Sequence, residues 1–463
     1  MKIETTHRIP FPQAEVLAWH ERPGALVRLT PPGLATPDDP TAGGLQVGRV
    51  VGTRLGPSAL PSLLRPHWIL RHREHQRDVE GEARFVDQQV RGPWRTWSHE
   101  HRLLSDPGSE GGTLVRDTLE VELPARLQRL EPLLGPQMQR VFRFRDRQLR
   151  EDLAFHARYA DQPRRTIALT GSSGLIGTQL AALLETGGHT VRRMIREEDV
   201  GPDEISWDPQ SGRLDPADLE GVDVVIHLAG RSIATRWTHS ARGEIRSSRV
   251  HGSALIARTL ANMDNGPSAL VQASAIGLYG PRRPGELLTE ADPGGEGFLA
   301  DLVREWEHAA HAATEAGIRT AFVRTSLVLS DGGGPLLPQL PMFLAGVGGR
   351  LTSADAMTSW ITLDDIVRVY AHAALSTDVH GPLNAVAPQP VTAGQFARTL
   401  GAALHRPAVV PVPAFGPKLL LGADGADELI QADQNVSDAR LQASGFRAAH
   451  TTLEQALQHV LWR

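Results

Sequence analysis

Twelve residues, Thr166-Ile167-Ala168-Leu169-Thr170-Gly171-Ser172-Ser173-Gly174-Leu175-Ile176-Gly177, constrain this chain more than any other stretch. The first five form a short apolar run that stops at a glycine, the pattern of a buried parallel strand. The remaining seven open a helix. Glycine serves a separate need at each of three positions. Gly171 permits a tight turn, Gly174 lets backbone approach a bound group, and Gly177 lets helix and strand pack closely. A helix start of this kind offers unpaired N–H groups and a partial positive charge, which suits a pyrophosphate.

The residues beyond it alternate strands and helices, the mark of a doubly wound parallel α/β sheet of Rossmann type. Strands are expected at 166–170, 190–194, 222–228, 269–274 and 320–324, and helices at 175–187, 240–262 and 298–316. A dinucleotide lies outside the carboxyl ends of such strands, so Leu228, Ala229 and Gly230 should border it. His227 lies inside the same buried strand and reads as a core histidine. A carboxylate that would take the adenosine ribose of NAD is missing from the end of the second strand, which reads Val191-Arg192-Arg193-Met194-Ile195-Arg196. Arginine pairs a 2′-phosphate in a bidentate way. NADP is therefore favoured over NAD, with Arg196 as the first candidate.

Composition narrows the class. Of 463 residues, 41% are hydrophobic and 22% charged, ordinary for a globular protein and enough for about three structural units. Residues 1–163 carry 23 Lys+Arg against 21 Asp+Glu, net +2; the rest carry 25 against 32, net −7. Neither part is basic enough to make nucleic acid the main partner. Cysteine is absent, which excludes disulfides, thiolate nucleophiles and cysteine-ligated metal. No run approaches the ~18 apolar residues of a membrane span. The opening residues contain no apolar signal region, and a cytoplasmic protein is expected.

The G-x-x-G-x-x-G spacing resembles that of extended short-chain dehydrogenases/reductases. Further motifs sharpen the likeness: Ile205-Ser206-Trp207-Asp208-Pro209, His227-Leu228-Ala229-Gly230, Ser248-Arg249-Val250, Ala273-Ser274-Ala275-Ile276-Gly277-Leu278-Tyr279-Gly280, Ser359-Trp360-Ile361-Thr362-Leu363-Asp364-Asp365 and Asn384-Ala385-Val386-Ala387-Pro388. Together they resemble the atypical, YfcH-like (epimerase-like) group of that family. The likeness runs from about 166 to 463 and includes a small C-terminal domain, marked by Arg406-Pro407-Ala408, Val412-Pro413 and Ser444-Gly445-Phe446. It implies that Gly171, Gly174 and Gly177 cradle the pyrophosphate, with Ser172, Ser173, Leu175 and Ile176 lining it. It also implies that Leu228 and Ala229 border the ribose, that Arg249 and Glu244 lie near the cofactor, and that Ser274 sits beside the nicotinamide as the catalytic hydroxyl. The family's usual Tyr-x-x-x-Lys pair is absent. The only lysines are Lys2 and Lys418, and Tyr279 is followed four places later by Arg283.

Residues 1–160 read as α+β: a helix near 11–22, strands at 67–78, 82–90, 94–104 and 113–123, and a helix from about 137 to 160. Phe85-Val86-Asp87, Gly92-Pro93-Trp94, Trp97-Ser98-His99-Glu100-His101, Arg116-Asp117 and Phe142-Arg143-Phe144-Arg145 resemble the SRPBCC superfamily, the START/Bet v 1-like helix-grip fold. That resemblance implies an apolar ligand cavity; His67, His72, His75, His99 and His101 cluster in this unit and read as a polar lining of the cavity rather than as the three or four convergent ligands of a metal. Arginines 140, 143, 145, 147 and 150 read as a solvated helix face. The expected organisation is thus a ligand-binding helix-grip domain at 1–160, an NADP-binding Rossmann domain at 165–400 and a small C-terminal α/β domain at 401–463. Expected partners are a small organic substrate, an apolar ligand in the first domain and a second copy of the chain. Two functional readings stand side by side: an NADP(H)-dependent oxidoreductase or epimerase-like enzyme using Ser274, or a non-catalytic NADP-binding sensor joined to a hydrophobic-ligand module.

Overall fold

The computed structural model describes residues 1–463 except 42, 59, 80, 110 and 411–414. The first unit is a seven-stranded antiparallel sheet. Edge to edge it runs Lys2–Ile9, Thr113–Glu122, Thr96–Ser105, Glu82–Arg91, His67–Val79, Val50–Leu55 and Ala35–Pro37. Strict alternation makes the inner face: Thr113, Val115, Asp117, Leu119 and Val121 are buried on one strand, with more exposed residues between them. Register shifts where His67–Val79 meets Glu82–Arg91 bend the sheet. The 27-residue helix Glu131–Ala157 lies on the concave side, burying Phe142, Leu149 and Leu153. A cavity of about 550 Å³ remains between sheet and helix. Sequence reasoning missed strands Lys2–Ile9 and Val50–Leu55. It also placed all five arginines of the long helix in solvent, yet Arg145 lines the cavity.

The second unit holds an eight-stranded sheet in the order Arg213–Leu214, Glu204–Asp208, Thr190–Ile195, Thr166–Thr170, Val224–His227, Ala269–Ala275, Arg319–Thr325, Gly381–Ala385. All neighbours are parallel except the first pair. Helix Leu175–Thr186 packs on helix Leu363–Leu375, and helix His239–Ala261 packs on Phe298–Ala309. Two apolar clusters hold the layers, one including Leu169, Leu180 and Ile366, the other Ala168, Trp207 and Leu270. This is a Rossmann-like α/β fold. The helix expected at 298–316 is broken at Ala310 into two segments.

The remaining elements complete the carboxyl-end side. Asp433–Val436 pairs with Arg282–Leu288, and Met357–Thr358 with Val391–Thr392. The boundary expected at 400/401 falls within helix Ala393–Leu404. That helix shares a core with Leu329, Phe343, Trp360 and Leu457. Val412 and Pro413 lie outside the described residues.

A buried charge cluster joins the first unit to the second. Arg28 is fully buried; it grips Asp152 with Nε and Nη2 (2.8 and 2.9 Å), Gln179 with Nη1 (2.8 Å) and Asp364 with Nη2 (2.7 Å). Arg368 adds contacts to Asp152 and Glu151, both at 3.0 Å. Burial works to raise Asp364, but Arg28 and His459 hold its carboxyl well below the usual range. Removing one partner of such a cluster leaves uncompensated buried charge. Arg28→Met is therefore expected to cost about 3–5 kcal/mol of stability, read as a lowered midpoint in urea-induced unfolding.

Candidate functional site

The turn after strand Thr166–Thr170 is set by steric contact. Gly171 has φ +67°, and a Cβ there would stand 3.0 Å from the Ala229 nitrogen. A Cβ on Gly177 would stand 2.1 Å from the Gly171 carbonyl oxygen, closer than any side chain can approach. One at Gly174 would meet that same oxygen at 3.2 Å. The turn closes through Gly174 N–H donating to Gly171 O at 3.0 Å. Gly174 caps helix Leu175–Thr186 without any side-chain cap, so the first-turn N–H groups are left for another acceptor. Ser173 and Gly174 are exposed, Leu175 and Ile176 half-buried, and Ser172 buried. This cradle of uncapped N–H groups beside the exposed Gly174 backbone fits a pyrophosphate.

Thr170 fixes the neighbouring loop. Its Oγ1 accepts from Leu228 N–H (3.0 Å) and Ala229 N–H (3.1 Å) and bonds His227 Nδ1 at 2.7 Å. His227 is fully buried against Trp207. The core reading holds, though its Nε2 has no partner among the described residues. Beyond Gly230, Arg231 is pinned from helix His239–Ala261. Its N–H donates to Ser248 Oγ (3.0 Å), its carbonyl accepts from Arg249 Nη1 (2.9 Å), and its guanidinium pairs with Glu244. Arg249 also lies over the Trp306 ring at 5.1 Å, and burial pushes it down to about 10. Glu244 and Arg249 are thus brought together through Arg231.

The arginines after the second strand part company. Arg193 is buried on Glu185 (2.8 Å), and Arg192 donates to the Asp218 carbonyl (2.6 Å). The Arg196 side chain is exposed at the strand end, with no ion pair among the described residues.

At the carboxyl end of strand Ala269–Ala275, Ser274 Oγ donates to Glu307 Oε1 at 2.6 Å. Arg324 clamps Glu307, Nε to Oε1 and Nη2 to Oε2, both 2.9 Å. Its Nη1 donates to Tyr279 Oη (3.0 Å), and Tyr279 donates to Asn384 Oδ1 (2.8 Å). Burial raises Tyr279 against the pull of Arg324. Arg283 pairs with Glu286 instead, so no Tyr279–Arg283 pair forms. Trp360 is fully buried, with Nε1 on the Gln389 carbonyl (3.0 Å), and packs the core rather than the cleft. Glu307, Arg324 and Asn384 were not read from the sequence as site residues. Glu307 had one signal: it lies on the helix where the short-chain dehydrogenase/reductase resemblance would have placed the lysine.

Comparison with known proteins agrees with the Rossmann-like fold of the second unit. Residues 167–384 match the NAD dependent epimerase/dehydratase family, and residues 412–460 match a domain of unknown function, DUF1731. Epimerase family protein Mb2239 of Mycobacterium bovis is 37% identical over 298 residues, 64% of this chain and 98% of that protein. The crystal structure of a nucleoside-diphosphate sugar epimerase from Corynebacterium glutamicum is 33% identical with a TM-score of 0.78. It covers 99% of this chain and 90% of its own, so the likeness includes the N-terminal unit. Human epimerase family protein SDR39U1, solved with NADPH, is 32% identical with a TM-score of 0.58, over 64% of this chain and 98% of its own.

Buried imidazoles give the fold a pH signature. Burial holds His20, His99, His189 and His372 at about 4, and His156 and His227 at about 3. The unfolded chain binds these protons near 6.5 and the folded chain does not. Their contribution is complete above about pH 6.5 and is lost as pH falls towards 4. His101 and His450 shift the other way and are outnumbered. The melting temperature should fall steadily between pH 6.5 and 4; a flat profile there contradicts the assignment.

Proposed function

The chain belongs to the epimerase family, as an NAD(P)-binding atypical short-chain dehydrogenase/reductase, and from that premise we propose that it is an NADP(H)-dependent oxidoreductase or epimerase-like enzyme. The proposed substrate is a small organic alcohol or carbonyl compound. The observation that carries this reading is that one carboxyl edge of a parallel sheet bears both the glycine cradle and a serine on a fixed carboxylate.

The nicotinamide, when bound, supplies a hydride acceptor or donor. The chain supplies the rest. Backbone N–H groups of the 171–177 turn hold the pyrophosphate, Leu228 and Ala229 border the ribose, and Arg196 pairs the 2′-phosphate. Ser274, itself buried, gives its one O–H to Glu307, which leaves its lone pairs to accept from a substrate hydroxyl. In the oxidising direction the carbinol hydride would be taken up by the nicotinamide group. The hydroxyl proton passes to Ser274 Oγ as the serine proton passes to Glu307. Arg324 holds that carboxylate in one orientation. For the first unit we propose a helix-grip, SRPBCC-type ligand domain, supported by its antiparallel sheet, long helix and cavity.

The missing tyrosine–lysine pair favours a second reading, a non-catalytic NADP sensor. Two measurements decide. In NADPH fluorescence titrations, Arg196→Glu should weaken NADPH by about 10–100-fold, the worth of charged hydrogen bonds, and leave NADH unchanged. Ser274→Ala and Glu307→Gln should each lower turnover about 10²–10⁴-fold on a panel of alcohols and carbonyls, with NADPH affinity retained. Tight NADPH binding by the parent protein without turnover on any panel member would leave the sensor reading; no binding of either nucleotide would defeat both.

A further inference from the structure

Two histidines near the end of the chain meet the long helix of the first unit. His459 lies on helix Leu453–Val460 and His450 just before it, while Glu151 lies on helix Glu131–Ala157. Each of the three offers a ligand atom, and those atoms all lie within 4.8 Å of one another. The two imidazole rings stand 4.5 Å apart, and Phe144 stacks on His459 at 5.0 Å.

Helix Leu363–Leu375 fixes both rings from behind. Asp364 Oδ2 stands 2.9 Å from His459 Nε2, and Asp365 Oδ2 stands 3.1 Å from His450 Nδ1. Asp365 also accepts from the backbone N–H groups of Ala449 (2.9 Å) and His450 (3.0 Å), which pins the turn. A neutral imidazole beside a carboxylate keeps its proton on the nitrogen that faces it. The opposite nitrogens, His459 Nδ1 and His450 Nε2, are then bare lone pairs. His459 Nδ1 is buried and has no hydrogen-bond partner among the described residues. His450 Nε2 faces Glu151 Oε1 at 3.7 Å, a lone pair against a carboxylate. A proton on His450 would relieve that one contact and leave His459 Nδ1 as it was. A metal ion satisfies all three atoms at once.

Charge and access point the same way. Glu151, Asp152, Asp364 and Asp365 gather around the buried guanidiniums of Arg28 and Arg368. Arg147 turns its own guanidinium to the Gln458 and Arg463 carbonyls. Even with Arg147 counted, the carboxylates are in excess when the imidazoles are neutral. The Glu151 side chain is 22% exposed, which opens the site to solvent and leaves a position for water. Two imidazoles and one carboxylate suit zinc and its first-row neighbours, whereas magnesium and calcium prefer oxygen alone. A carboxylate behind each imidazole is the usual outer shell of such ligands.

We propose that Glu151, His450 and His459 bind one divalent ion of the zinc class, which fastens the long helix of the first unit to the C-terminal helix. This assignment does not depend on the nucleotide reading.

The test uses the full-length protein, stripped with EDTA and dialysed free of chelator. Zinc chloride titrated in a calorimeter should bind as one ion per chain and raise the melting temperature by mass action. Cobalt(II) in its place should give the visible d–d absorption of a low-coordinate site, which zinc removes and excess magnesium does not. Glu151→Gln, at the open side, should weaken zinc by at least about 100-fold, no less than the loss of an outer-shell partner costs, and His459→Gln should do the same. His308→Ala, which breaks up an exposed pair with His311, should change nothing. No zinc binding, binding that survives both Glu151→Gln and His459→Gln, or binding lost in His308→Ala would overturn the proposal. Should His459→Gln not fold, the Glu151→Gln titration decides alone.

Discussion

The approach of two stretches of backbone at 171–177 governs the rest of this molecule. With 2.1 Å between a hypothetical Cβ on Gly177 and the Gly171 oxygen, the helix can start directly beneath the strand only because no side chain intervenes. That closeness aims the uncapped N–H groups of helix Leu175–Thr186 across the strand end. Thr170 completes the arrangement. By accepting from two consecutive N–H groups of the adjoining loop, its hydroxyl fixes that loop against the end of the strand. The site lies where two neighbouring strands diverge, as the topology of a doubly wound sheet requires.

The usual tyrosine–lysine pair is absent, and the carboxyl end of strand Ala269–Ala275 carries instead Ser274 bonded to Glu307, itself held by Arg324. A buried arginine–carboxylate pair contributes little net stability, because desolvation offsets attraction. What Arg324 gives Glu307 is orientation: both oxygens are engaged, and one of them also receives the Ser274 hydrogen. Tyr279 joins the same guanidinium from the far side but is fully buried and bound to Asn384. It supports the clamp and does not face the crevice as a tyrosinate would.

The parallel strands were legible because each is an apolar run that stops at a small or polar residue; Thr166–Thr170 falls where the residues place it. Lys2–Ile9 was not, because only Ile3 and Ile9 are buried and the residues between are polar. Strand Glu204–Asp208 lies towards the sheet edge and carries a mixed sequence. Ser274 could be read from its motif, but its acceptor could not. The clamp on Glu307 comes from a strand 17 residues away, and nothing local marks Arg324 as its partner. Arg145 did leave a trace. Met138, Phe142, Arg145 and Leu149 recur at helical spacing, which puts the arginine on the apolar stripe. Four other arginines nearby disguised it.

One segment stands between the cavity of the first unit and the helix that leaves the glycine turn. Segment 24–33 contributes Ala25, Leu29 and Gly33 to the N-terminal cavity. The same segment presses on the nucleotide-binding unit. A Cβ on Gly24 would stand 2.6 Å from Ala182 in the helix that leaves the glycine turn, and one on Gly332 would stand 2.4 Å from Pro32. Gly333 in turn abuts Leu175, the first residue of that helix. Backbone contacts this close do not slide independently, because packed interiors transmit displacement rather than absorb it. Arg28, in the middle of the segment, ties it to Gln179 and Asp364. Segment 24–33 is thus packed on one side against the cavity of the first unit and on the other against the helix that bears the uncapped N–H groups.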